Sequence, residues 1–110
     1  NKVEVWGSGK QMRDFIHIDD CVEGVIKTMN KIHDGSAINL STGKYSSFID
    51  FLNISKKIIG NDFKIIAKKS KPVGVFARGG CIKKQLKLGF KYKISLNQGI
   101  ERGINFLLKN

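Results

Sequence analysis

The run Val5-Trp6-Gly7-Ser8-Gly9, followed by Met12-Arg13-Asp14-Phe15-Ile16-His17-Ile18-Asp19-Asp20, decides how this chain is read. Val3 to Trp6 has the character of a strand, and Gly7-Ser8-Gly9 that of a tight turn. Phe15 to Ile18 is extended, with alternating character. Asp20, with Glu23 three residues on, fits an N-cap and capping box; both carboxylates favour the positive end of the helix they would open. Arg13 stands between the turn and the extended segment. Its guanidinium is a fixed fork of donors suited to a diphosphate, and it stays charged at any working pH. On spacing alone, a surface ion pair with Asp14 or Asp19 is the alternative.

Outward from this run, Cys21, Val22, Val25, Ile26, Met29 and Ile32 form one stripe at helical spacing, ended by Asp34-Gly35. Ala37 to Leu40 predicts a short strand, with Ser41-Thr42-Gly43 as the turn after it. Ser46 or Ser47 caps a second helix through Phe48, Phe51, Leu52, Ile58 and Ile59, closed by Gly60. Phe63 to Ile66 is a third strand candidate. Lys68 to Gly80 reads as a loop holding the only proline, Pro72, and irregular stretches of that length are usually functional or flexible. Cys81 to Leu88 predicts a short helix ending at Gly89. Ser95 with Gln98 makes another capping box for a last helix lined by Leu96, Ile100, Ile104, Leu107 and Leu108.

A chain of 110 residues bounds the protein to one domain, 1–110, and a 41% apolar share is too high for disorder. No apolar run approaches the roughly 20 residues of a membrane span, and no signal-peptide pattern opens the chain. Cys21 and Cys81 belong to no disulfide framework, which suits a reducing cytosol and gives a cytoplasmic expectation. His17 and His33 are too far apart in sequence to suggest a metal site, so no metal is expected. Charge is lopsided: residues 1–50 carry six basic and seven acidic side chains, residues 51–110 fourteen and two. A basic half of that size suits nucleic acid, an acidic membrane or a phosphorylated ligand. Seventeen of the twenty basic residues are Lys, however, and abundant Lys, Ile and Asn together point to an A/T-rich coding bias. Nucleic-acid modules lean on Arg and exposed aromatics, and only three Arg occur here. A small basic nucleic-acid module is therefore the rival from another class.

Trp6, the sole tryptophan, sits against the glycine turn; its indole either stacks on a purine or sugar or packs into the core. Arg78 lies in a glycine-bearing loop whose backbone N–H groups can approach an anion, and a solvated arginine is the alternative there. His17 with Asp19 and Asp20 has the residue types of an acid/base set, but a hydrogen-bonded packing histidine fits that position better. Cys81 has no histidine near it in sequence and reads as structural. No G-x-G-x-x-G fingerprint occurs, and neither Tyr45 nor Tyr92 has a lysine four residues on.

The opening run resembles the start of the substrate-binding part of the extended short-chain dehydrogenases/reductases, the NAD-dependent epimerase/dehydratase family that acts on nucleotide-sugars. Asn39-Leu40-Ser41-Thr42-Gly43, Ser70-Lys71-Pro72-x-Gly74, Leu88-Gly89-Phe90 and Ile94-Ser95-Leu96 extend the likeness over nearly the whole chain. Within the family they are most similar to the GDP-L-fucose synthases, the GDP-4-keto-6-deoxymannose epimerase/reductases. UDP-sugar 4-epimerases and nucleotide-sugar 4,6-dehydratases are the alternatives. The resemblance implies an α/β fold: a small mixed α/β substrate-binding segment lacking the N-terminal Rossmann half. It implies substrate binding by Trp6, Arg13 and Arg78, no catalytic or cofactor-binding residues among these 110, and NADP or NAD in the full-length enzyme. The implied partners are a nucleotide-sugar, with a GDP-sugar favoured, and the missing Rossmann domain. Cut loose, the segment should be inactive and expose apolar surface through which it could form a homodimer. Two departures stand out: Val73 where the family tends to carry an acid, and Gly79-Gly80-Cys81 after Arg78 where an Arg-x-x-Asp is common.

Overall fold

Two stretches of chain, 2–14 and 64–78, run side by side in the same direction, and the helices are arranged around them. The computed structural model describes all 110 residues. In chain order the elements are β1 (Lys2–Trp6), β2 (Met12–Arg13), α1 (Ile18–Met29), β3 (Ser46–Ser47), α2 (Phe48–Ile59), β4 (Lys64–Lys68), β5 (Ala77–Arg78), α3 (Lys83–Lys87) and α4 (Leu96–Lys109). β1 pairs in parallel with β4, from Lys2 opposite Lys64 to Trp6 opposite Lys68. The same two stretches pair again where β2 meets β5, Met12 opposite Ala77 and Arg13 opposite Arg78. β3 closes the other edge of β2, antiparallel, with Ser46 opposite Arg13. The ladder is thus interrupted once, between Gly7 N donating to Lys68 O and Met12 N donating to Phe76 O.

The expected strand limits shift accordingly. Of the expected extended run, Phe15 to His17 joins no ladder and Ile18 already opens α1; β2 is the short Met12–Arg13 before it. Ala37 to Leu40 is not a strand, because its polar groups and those flanking it find side chains instead of a neighbouring strand. Lys84 Nζ donates to Ala37 O and Ser36 Oγ, and Gln85 clasps Ser41 through both its backbone N–H and C=O at 2.8 Å. The loop expected over Lys68–Gly80 contains the two-residue β5.

Capping explains where helices α2 and α4 begin. Ser47 and Asp50 form a reciprocal capping box on α2, Ser95 and Gln98 one on α4, and Gly60 ends α2 in the left-handed region at φ +69°. α1 departs from expectation: its N-cap is His17, whose Nδ1 accepts the Asp19 N–H at 3.1 Å. Asp20 is turned inward instead, 2% exposed, accepting from Lys93 N and Ile94 N. A carboxylate that receives backbone N–H groups from distant chain is worth more here than one sharing a helix end with solvent. The helix stops at Met29, short of Asp34-Gly35.

α1 packs inside out. Asp20, Gly24 and Thr28, one turn apart, form its buried face, with Gly24 closely approached by Leu40 and Phe90. Ile18, Val22, Val25, Ile26 and Met29 form the opposite stripe, and all five are exposed. Among the large apolar residues only Phe63, Phe90 and Ile100 are buried, and Phe90 alone completely. The radius of gyration, 16.4 Å, exceeds the roughly 13 Å of a compact domain of this length. The chain is an open layer whose outward faces are apolar and exposed. A groove of about 440 Å³ between Phe15–Ile18, Phe51 and α4 continues that surface. No helix is long and apolar enough to cross a membrane.

Candidate functional site

The single break in the parallel ladder is where the chemistry-bearing residues gather. Trp6 with Lys68 borders it on one side, Arg13 with Arg78 on the other. The turn 7–11 and the loop 69–76 stand across it. Gly7 and Gly9 both adopt φ +74°, and a side chain on Gly7 would overlap Val73 of the facing loop. Glycine is therefore required at Gly7 twice over, by backbone conformation and by contact. Gln11 is buried beneath the turn, its Nε2 donating to Trp6 O at 3.0 Å while its Oε1 has no partner.

Arg13 and Arg78 are direct cross-strand partners, so their side chains leave the same face of the ribbon, in one row with Ser46. Arg13 is held rigidly: Nη1 donates to Met12 O at 2.7 Å, and its guanidinium lies 5.6 Å from the Phe48 ring centroid. Phe48 is itself wedged edge-on against Phe15 at 6.0 Å. Neither arginine lies within ion-pair distance of a carboxylate. The alternative pairing of Arg13 with Asp14 or Asp19 does not form. Asp14 is spent on the Ser41–Gly43 turn, accepting from Thr42 N, Thr42 Oγ1 and Gly43 N at 2.7–2.9 Å. Asp19 faces His17 and Arg102, each at 3.6 Å. Two like charges directly opposite one another destabilise a sheet. Neither guanidinium has an anionic partner within the chain.

Trp6 is 57% exposed on the outer face of β1, so it is not a core residue. The Lys71 ammonium lies 5.6 Å from its ring centroid. His17 serves as a helix cap, with Gly99 of α4 packed against its ring. Cys81 is exposed and Cys21 half-buried. No three His, Cys, Asp or Glu side chains converge in a way that could hold a metal. The Gly7–Gly9 turn does not fit a dinucleotide: the chain leaves it as β2, so no helix N-terminus is aimed at a phosphate.

Comparison with known proteins fits this geometry to a family. Residues 1–41 match the NAD dependent epimerase/dehydratase family. Among curated relatives, a putative GDP-L-fucose synthase of Arabidopsis thaliana is 27% identical over 110 residues, all of this chain and 34% of its own length. The chain is thus similar, over its whole length, to the C-terminal part of enzymes of that family. Solved structures of nucleotide-sugar enzymes superpose on nearly the whole of this chain. The UDP-glucuronic acid 4-epimerase of Bacillus cereus, solved with UDP-4-deoxy-4-fluoro-glucuronic acid and NAD, gives a TM-score of 0.88 at 27% identity over 99% of this chain and 36% of its own. A GDP-6-OMe-4-keto-L-xylo-heptose reductase from C. jejuni gives 0.87 at 31% identity, covering 99% of this chain and 34% of that one. The chain thus spans about a third of the length of the family members it matches. Its mixed α/β fold is that of the C-terminal part of the extended short-chain dehydrogenase/reductase epimerases.

Several residues that build the site escaped sequence reading. Asp14, Phe48 and Gln11 act through partners 5–35 positions away, and only the Asp14-to-turn link had a trace in sequence, through the Ser41-Thr42-Gly43 run.

Proposed function

We propose that this chain is the nucleotide-sugar-binding portion of an NAD(P)-dependent sugar epimerase/reductase of the GDP-L-fucose synthase kind. Arg13 and Arg78 hold the diphosphate, and Trp6 contacts the nucleotide or sugar. The observation that carries this reading is the register of Arg13 against Arg78, two arginines side by side with no carboxylate partner. A diphosphate offers oxygens to both forks at once, which relieves their mutual repulsion and adds charge-assisted hydrogen bonds. Hydride and proton transfer fall to residues outside these 110, since no Tyr-x-x-x-Lys pair is present and the glycine turn does not suit a dinucleotide. We expect no turnover from this chain alone.

Calorimetric titration with GDP-mannose tests the reading, with far-ultraviolet circular dichroism to establish that each variant is folded. Arg13→Ala should weaken binding at least tenfold, and Arg78→Ala by a smaller factor because Arg78 is more exposed. Identical isotherms for wild type and Arg13→Ala would refute it. The likeness to the B. cereus epimerase favours a second reading, a UDP-sugar 4-epimerase. A panel of GDP- and UDP-sugars on the same variants separates the two. Binding to generic DNA or RNA that falls steeply with salt would instead favour the nucleic-acid module.

A further inference from the structure

We propose that Lys71 is a third ligand-binding cation of the ladder break, stacked on the Trp6 indole in this structure and handed to a phosphate oxygen when a nucleoside diphosphate binds. The inference rests on the diphosphate reading of Arg13 and Arg78.

The backbone dictates where Lys71 sits. Trp6 is opposite Lys68 in the β1–β4 ladder. Lys68 O accepts both Gly7 N at 2.9 Å and Lys71 N at 3.0 Å, so the chain folds back at once after β4. That turn lays the Lys71 ammonium over the indole, and two residues later Val73 rests on Gly7. Consecutive residues of the turn are thus covered by alternate residues of the loop. The same loop ends at Arg78, opposite Arg13.

The charges around the break are unequal. Lys68 is neutralised by Glu4 at 3.1 Å, whereas Lys71 faces only a ring. An exposed cation–π contact biases a side chain's position by roughly two- to fivefold. A hydrogen bond from an ammonium to a charged oxygen biases it by roughly tenfold or more. A phosphate within reach therefore takes Lys71 from the indole. The movement also uncovers the ring face, so one displacement supplies a cation to the phosphate and a stacking surface to the base or sugar.

Trp6 is the only tryptophan, so its fluorescence reports the departure of Lys71 directly. Inorganic pyrophosphate is the discriminating probe, because it carries the charge and has no ring to stack. Saturable binding of pyrophosphate to wild type should change Trp6 emission. Lys71→Met should bind pyrophosphate roughly five- to twentyfold more weakly by calorimetry and lose the emission response, and Lys71→Arg should recover both. Sodium chloride at matched ionic strength should leave the emission unchanged. If Arg13→Ala loses pyrophosphate while Lys71→Met binds it as wild type does, this inference fails and the diphosphate reading survives. An emission change that persists in Lys71→Met also overturns it. No pyrophosphate binding by wild type overturns both.

Discussion

The ribbon end of the molecule and its outer helix face solve the same problem, how to hold a short segment in place, by opposite means. Beside β2 and inside the helix layer, backbone is tied by polar side chains: Asp14 to the 42–43 turn, Gln85 to Ser41, Asp20 to 93–94. On α1 the apolar stripe from Ile18 to Met29 is left largely exposed. Polar ties are directional and local, so the candidate site is fixed by the chain's own residues. Apolar faces are non-directional and need area, which the helix layer does not find within this chain. The site geometry should therefore be far less sensitive to the outer face than an ordinary domain's would be.

Removing the deepest polar tie should show the largest effect. Asp20→Ala removes a buried carboxylate and leaves the partly buried N–H groups of Lys93 and Ile94 without their acceptor, and should cost about 3 kcal/mol by urea denaturation. A loss below about 1 kcal/mol would mean that α4 is held by apolar contact after all, collapsing the contrast. Gly7→Ala should cost about 2 kcal/mol, from positive φ and overlap with Val73, and should also weaken GDP-mannose binding. Normal binding by a folded Gly7→Ala would separate the turn from the site.

Asp14→Asn keeps one acceptor oxygen and loses the other, for a loss of about 1 kcal/mol. Substituting the outer face should do least to stability: Val25→Lys should fall within about 0.5 kcal/mol of wild type. It should nevertheless reduce concentration-dependent self-association in sedimentation velocity. If Val25→Lys unfolds the chain, the stripe is internal in solution and the comparison is wrong. The smallest effect is electrostatic. Hydrogen bonds from the Ser47 backbone and hydroxyl hold Asp50 below its ordinary 3.8. A lowered carboxylate stabilises the fold above its unfolded pKa and loses that contribution as pH falls through the folded value. The acid limb of thermal stability should thus shrink slightly in Asp50→Asn, in the range below about pH 4.

Where a signal is local, the sequence carried it. The capping box of Ser95 and Gln98 announced α4, Ser46 or Ser47 marked the start of α2 with Ser47 proving the cap, and Gly60 marked its end, because each signal is written within four residues. The α1 start was misplaced for the converse reason. Asp20 and Glu23 have the spacing of a capping box, but Asp20's carboxylate is drawn to a segment more than seventy positions away, and His17 caps instead. Ala37–Leu40 has strand-like residues and no strand to pair with, since lysine and glutamine side chains satisfy its neighbourhood.

The candidate site divides in the same way. Arg13, Arg78 and Trp6 could be singled out from residue type and flanking glycines, because a rigid fork, a flexible turn and an indole are properties of the residues themselves. Sequence could not place Arg13 opposite Arg78 or Lys71 over Trp6, since that depends on parallel pairing of strands some sixty positions apart, for which no local pattern exists. Sequence fixed the chemical groups and most helix ends, which are short-range choices. Tertiary structure alone decided which charges face each other unpaired and which side of α1 looks outward, because both depend on what long-range pairing leaves beside them.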